Sequence, residues 1–174
     1  VLMGGPDILT SLASGAIDAA EWICPVADLG LGMHQAAKFY YGPGWHEPST
    51  LLDLSIDLKE WEGLDADTQG LMMEMAKAFN VDVFSRFQAL NGPALGKLLN
   101  EHGVALKTFP DELLIALGNA AGEVMEERGS INSQTKAICN HILSFRKNIM
   151  DWSTKGESEF ARIRNLPFKF PTSV

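Results

Sequence analysis

The chain has 174 residues, 46% of them hydrophobic, and a formal net charge of −8, enough apolar material for one ordinary domain or a large piece of a two-lobed one. A pI near 4.9 argues against nucleic-acid binding, which needs a basic face to neutralise phosphate, and against anionic membranes for the same reason. No apolar run reaches the roughly 18 to 20 residues of a spanning helix, and no basic, apolar, small-residue leader opens the chain; Val1 to Pro6 reads as the interior of a longer protein, so a preceding portion is expected.

Asp7 to Ser14 has an acidic start, apolar spacing of three to four and then Gly15, which predicts a short helix. Ala16 to Ile23 is small and apolar, as buried parallel strands are, with Pro25 closing it. Leu29 to Phe39 reads as a helical turn or two, leading into an aromatic, Gly/Pro-rich segment from Phe39 to Pro48 of irregular backbone. Leu51 to Leu58 alternates in its second part and predicts a strand with one wetter face; Lys59 to Gly63 is a short helical link.

From Ala66 the set Met72, Met75, Ala76, Phe79, Val83, Phe87 and Leu90 forms one stripe of a long amphipathic helix, whose plain reading is core. Asn91-Gly-Pro93 is expected to break it. A further helix, Ala94 to His102, ends at Gly103; Val104 to Phe109 has strand character; Asp111 caps a helix that Gly129 stops. The last helix, Ile131 to Trp152, presents Ile138, Ile142, Phe145, Ile149 and Trp152, a stripe that packs as core or serves a partner subunit, and a polar tail follows. Short strands interrupted by helices predict an α/β layered, helix-rich architecture.

Little of the usual catalytic apparatus is present. Cys24 and Cys139 have no His or Cys at metal-ligand spacing, so two buried, unpaired thiols are expected and zinc is not. No Gly-x-Ser-x-Gly elbow occurs, and His34, His102 and His141 read as ordinary helical residues, leaving His46 as the histidine beside a candidate site. Gly42-Pro43-Gly44 lacks the Lys and following helix of a phosphate loop.

The carboxylates are the informative groups. Glu21 adjoins Trp22, and Glu47 follows Trp45, so two acids stand in apolar, indole-rich surroundings where an ionised carboxylate needs a cation or several donors. Both offer hard oxygen ligands suited to Na⁺, Ca²⁺ or Mg²⁺, and the Trp22 carbonyl is a further one. Trp22, Tyr40, Tyr41 and Trp45 would wall a dry pocket. On spacing alone, two solvated or salt-bridged glutamates and four core aromatics remain the plainer alternative.

The run Gly15-Ala-Ile-Asp18-Ala-Ala-Glu21-Trp22, followed by Ala37 to Pro48 with its Tyr-Tyr-Gly-Pro-Gly-Trp-His-Glu-Pro core, resembles the C-terminal half of the extracytoplasmic solute receptors of TRAP transporters, the DctP family. It is most similar to the branch that binds 2-oxo acids and other small monocarboxylates. The resemblance implies a periplasmic-binding-protein-like (type II) two-lobed fold, represented here by its C-terminal half: a ligand and metal motif region over 1–65, helical and strand elements over 66–130, and a terminal helix and tail over 131–174.

It also implies a periplasmic receptor that delivers a small organic carboxylate to a membrane permease and catalyses nothing. Glu21, the Trp22 carbonyl and Glu47 would hold Na⁺ or Ca²⁺, which meets the substrate carboxylate; Trp22, Trp45, Tyr41 and Glu21 would line the substrate, and the terminal helix could pair two copies. Such receptors clamp the ligand with an Arg from the preceding half; the first Arg here is Arg86, on the long helix, so the clamp is expected upstream. The residues leave two other readings open: a metal-dependent lyase or hydrolase using Glu21 or Glu47 as general base, and an interaction module built on the terminal helix.

Overall fold

Pro6 and Gly15 bracket the first helix, α1 (Gly5–Ser14). Proline in the first turn presets φ where no N–H is needed, and Gly15 at φ 74° lets its own N–H reach Leu12 O and that of Ala16 reach Ser11 O, the paired bonds of a glycine-closed helix end. The computed structural model describes residues 1–45 and 53–171, which fall in two compact units, Val1–Phe109 and Pro110–Val174.

In the first unit the expected strand from Ala16 to Ile23 is irregular chain instead. Its small residues are mostly exposed, and Asp18 and Glu21 interrupt any apolar face, so it has neither a ladder for its backbone nor a surface to bury. Pro25 does not close a strand but opens a helix, α2 (Pro25–Leu31), which Gly32 ends at φ 80°. A 3₁₀ turn, Met33–Gln35, leads to β1 (Phe39–Tyr41).

The expected strand over Leu51 to Leu58 begins outside the described residues, and its remainder is not a strand either. Asp57 accepts from the N–H groups of Lys59 and Glu60 at 3.0 and 3.2 Å and so turns the chain into α3 (Leu58–Glu62); a carboxylate that captures backbone donors locally withdraws them from a ladder.

Asp65 caps α4 (Ala66–Asn100) by the same chemistry, accepting from Thr68 N–H at 2.9 Å. This helix runs 35 residues straight through Pro93. An interior proline forfeits one backbone bond at a cost of roughly 3 kcal/mol; here the segment is held from outside. Asn91 Oδ1 accepts the Val26 N–H at the start of α2 at 3.1 Å, α2 packs on α4, and Ala94 and Leu98, one and two turns beyond, are buried. The stripe expected as core is a different matter: Met75, Phe79 and Leu90 are exposed, and Met72, Val83 and Phe87 only half-buried.

After α4, Gly103 at φ 65° turns the chain into β2 (Ala105–Lys107). β1 and β2 pair in parallel, Phe39 with Ala105, Tyr40 with Leu106 and Tyr41 with Lys107. Bonds from Ala105 N–H to Lys38 O and from Gly42 N–H to Lys107 O extend the ladder at both ends. The buried apolar residues among those described are Ile8, Ala94, Leu98 and Val104, all in this unit.

The second unit is helical. In α5 (Asp111–Gly129) Pro110, not Asp111, occupies the cap; Asp111 and Glu112 lie in the first turn, where the helix dipole favours acids. In α6 (Ser133–Ser153) Asn132 and Thr135 form a reciprocal capping box. The helices pack on each other, and Gly129 brings them close, since a Cβ there would lie 3.6 Å from that of Cys139. The polar tail continues as a π turn, Thr154–Ser158, and α7 (Glu159–Arg164). Ile138, Ile142, Phe145, Ile149 and Trp152 are all exposed.

Candidate functional site

The irregular stretch after α1 carries Glu21 on the surface and Trp22 half-buried. Gly5 is the seat of that indole: a Cβ built there would fall 2.6 Å from Trp22 Cη2 and 3.1 and 3.2 Å from two further ring carbons. Only a residue without a side chain lets the ring lie on the start of α1.

The other motif arm leaves β1. Alternation along a strand puts Tyr40 on one face and Phe39 and Tyr41 on the other. Tyr41 stacks on Phe109, ring centroids 4.8 Å apart and planes inclined by 21°, and remains 48% exposed. The chain then passes the cis Gly42–Pro43 peptide to Trp45, 43% exposed. Both rings thus keep exposed surface. Glu47 and His46 lie outside the described residues.

Tyr40, expected as a wall, turns inward. Its hydroxyl donates to Asp28 Oδ2 at 2.5 Å, and the Ile23 N–H donates to Asp28 Oδ1 at 3.4 Å. Asp28, in α2, is only 6% exposed. Burial raises its pKa, against the Tyr40 hydroxyl and the backbone of Ile23 and Cys24, which favour the carboxylate. Burial and then the facing carboxylate push the Tyr40 hydroxyl far above its ordinary range. Sequence reading missed Asp28, although an acid inside Pro-Val-Ala-Asp-Leu-Gly-Leu is a signal: acids rarely go inside unless partnered.

The histidines also differ from expectation. His34, in the 3₁₀ turn and half-buried, stacks on His102 just past α4, centroids 3.9 Å apart. Its Nδ1 is buried without a hydrogen-bond partner, and burial, then the charge of His102, lowers its pKa. Cys24 and Cys139 are unpaired and half-buried. Arg86 bonds Asp82 at 2.8 Å on the exposed side of α4. No group of three His, Cys, Asp or Glu gathers among the described residues, and no helix among them is long and apolar enough to cross a membrane. A groove of about 330 Å³, lined by Leu54, Ile56, Leu58, Trp61, Met72, Met73 and Ala76, contains none of the motif residues, so we place the candidate site at the motif arms.

Known proteins share this sequence pattern and fold. Residues 3–130 match the family described as bacterial extracellular solute-binding protein, family 7 (DctP). The chain is 36% identical over 160 residues to the monocarboxylate 2-oxoacid-binding periplasmic protein of Nostoc sp. (strain PCC 7120), covering 92% of this chain and 43% of that one. It superposes with a TM-score of 0.83 on a TRAP transporter solute-binding protein from Bordetella bronchiseptica RB50, solved as a mixed-occupancy dimer with copurified calcium and picolinate, at 29% identity. A TRAP periplasmic solute-binding protein from Pseudoalteromonas atlantica T6c, with bound sodium and pyruvate, gives 0.81 at 27% identity. Each superposition covers 94% of this chain and 48% of the other, so the chain spans about half the length of these relatives. The helix-rich, periplasmic-binding-protein-like architecture expected from the sequence is that of these neighbours. The chain belongs to the DctP family of bacterial extracellular solute-binding proteins.

Proposed function

We propose that this chain carries the cation-binding arms of a periplasmic receptor that takes up a small 2-oxo or hydroxy acid and hands it to a TRAP membrane permease without chemical change. The observation that carries the reading is the setting of Glu21 and Trp22. An exposed carboxylate and a backbone carbonyl lie on one irregular stretch, beside an indole seated on Gly5. These are oxygen donors, the class that Na⁺ and Ca²⁺ accept, and two neighbours hold those cations together with a carboxylate-bearing ligand.

The residues fit a cation as part of its shell. Glu21 and the Trp22 carbonyl would hold it, Glu47 would complete the acidic pair, and Tyr41, Trp45 and Trp22 would face the organic part of the ligand. The bound ion supplies the positive charge through which acidic side chains tolerate an anionic guest. Arg86 lies in an exposed pair with Asp82 on α4 and is not assigned as the carboxylate clamp. We further propose that α6, whose apolar stripe is exposed, pairs two copies of the receptor.

The test is thermal denaturation of the full-length gene product with pyruvate, with and without Na⁺ or Ca²⁺. Ligand at one hundred times Kd stabilises by about 2.7 kcal/mol, so the melting temperature rises only when acid and cation are both present, and the acid is recovered unchanged. No stabilisation by any 2-oxo acid overturns the reading, as does turnover, which would favour a lyase or hydrolase. Glu47→Gln abolishes the cation dependence; an unchanged response removes that residue from the site.

A further inference from the structure

Asp28 uses one carboxylate oxygen for each motif arm. Oδ2 receives the Tyr40 hydroxyl from β1, the strand that leads to Trp45, and Oδ1 receives the Ile23 N–H from the stretch that carries Glu21 and Trp22. The second bond acts on one particular peptide group. The Ile23 N–H and the Trp22 carbonyl belong to the same planar unit, in which a trans linkage points the two in opposite directions. Fixing the N–H on Asp28 therefore aims the Trp22 carbonyl away from Asp28, and a negative acceptor on the N–H side increases the electron density on the oxygen.

We propose that Asp28 is the positioning residue of the cation site: it orients and polarises the Trp22 carbonyl and locks that peptide to β1 through Tyr40. The inference rests on the receptor reading above and adds a residue to it. Asp28 touches neither ligand nor ion; it acts as the outer partners of metal ligands do, by restricting the ligand's direction and raising its basicity. Its burial serves this role. At 6% exposure the carboxylate has little water to exchange for its two partners, so both bonds persist.

The experiment measures cation affinity at saturating pyruvate, hydrogen exchange at the Ile23 amide without cation, and melting temperature, in the full-length gene product and in Asp28→Ala, Asp28→Asn and Tyr40→Phe. Asp28→Ala should weaken the cation roughly 10- to 100-fold at temperatures where the variant is fully folded, and should speed exchange at Ile23. Tyr40→Phe, which removes one arm's bond and leaves the other, should weaken it less. If Asp28→Ala does not fold, Asp28→Asn carries the test: it keeps the shape and removes the charge that polarises the carbonyl, and its cation affinity should fall in the same direction. Variants that melt earlier but bind the cation as tightly as wild type overturn the inference and leave the receptor reading standing. A wild-type protein that binds no cation with acid overturns both.

Discussion

The two ends of α4 share one helix and contrast in almost everything else. The carboxyl-terminal end meets α2 and leads into β2, and it buries Ala94 and Leu98 although its sequence contains the least helical residue pair of the element, Gly92-Pro93. The amino-terminal end carries the apolar stripe expected as core, yet leaves Phe79 63% and Met75 60% exposed. Periodicity reports which residues share a face; it carries no information about whether another element covers that face. The motif arms are organised around the end with the weaker pattern, through Val26 on Asn91 and the pairing of β1 with β2.

The contrast breaks most directly at its buried end. Leu98, 3% exposed, replaced by Ala should cost roughly 2–5 kcal/mol, the range for large-to-small core changes. Phe79→Ala should lie within about 0.5 kcal/mol of wild type, as surface substitutions do. Urea midpoints on the two variants decide it, and a loss above 2 kcal/mol for Phe79 would show the stripe to be covered. Pro93→Ala is expected to stabilise by up to about 3 kcal/mol, because the helix already runs through that position and alanine restores the missing donor to Ala89. Destabilisation would mean that the proline ring itself is a packing element.

The next effect concerns the motif arm. Gly5→Ala puts a methyl 2.6 Å from the place of Trp22 Cη2, and such overpacking costs roughly 1–3 kcal/mol. The ring is half-buried, so a shift of the indole can relieve the clash, and the larger part of the effect should appear as weaker cation-dependent pyruvate binding. In a Trp22→Ala background the same change should be neutral or stabilising, since alanine is the better helix former. A penalty that persists without the indole would place the clash elsewhere.

The legible parts of this molecule are those whose causes lie within a few residues. Gly15 after a periodic run, and Asp111 before and Gly129 at the end of another, marked helix ends to within a residue or two, because caps are local chemistry. The Glu21-Trp22 and Trp45 motif was legible as chemistry but not as geometry. Its two arms are tied at Asp28 by bonds that span five residues on one side and twelve on the other, and the indole is seated on Gly5 at the start of a helix. The strand expected over Ala16 to Ile23 failed because composition was read without a pairing partner. The break expected at Pro93 failed because a hydrogen bond spanning 65 residues, Val26 to Asn91, holds what proline would release.

The smallest effect tests whether the carboxyl-terminal end of α4 is also sensitive to protons. His34 stacks on His102 there; α2, which packs on the turn that carries His34, holds Asp28, and the end of α4 holds Lys97, Glu101 and His102. Of these, His102 is the one whose charge acts on His34, after burial, to lower its pKa. The unfolded chain then binds the proton more readily than the folded one, so stability is complete above the unfolded value of about 6.5 and declines as pH falls below it. Asp28, with its pKa raised, has the opposite slope and acts only in the acid range above the ordinary carboxylate value. Urea midpoints from pH 8 to pH 5 should therefore fall in wild type, and His34→Gln should flatten the curve while leaving the pH 8 midpoint nearly unchanged. A curve that keeps its slope in His34→Gln would move the titrating group to another histidine, and with it the claim that this end of the helix is where the fold senses charge.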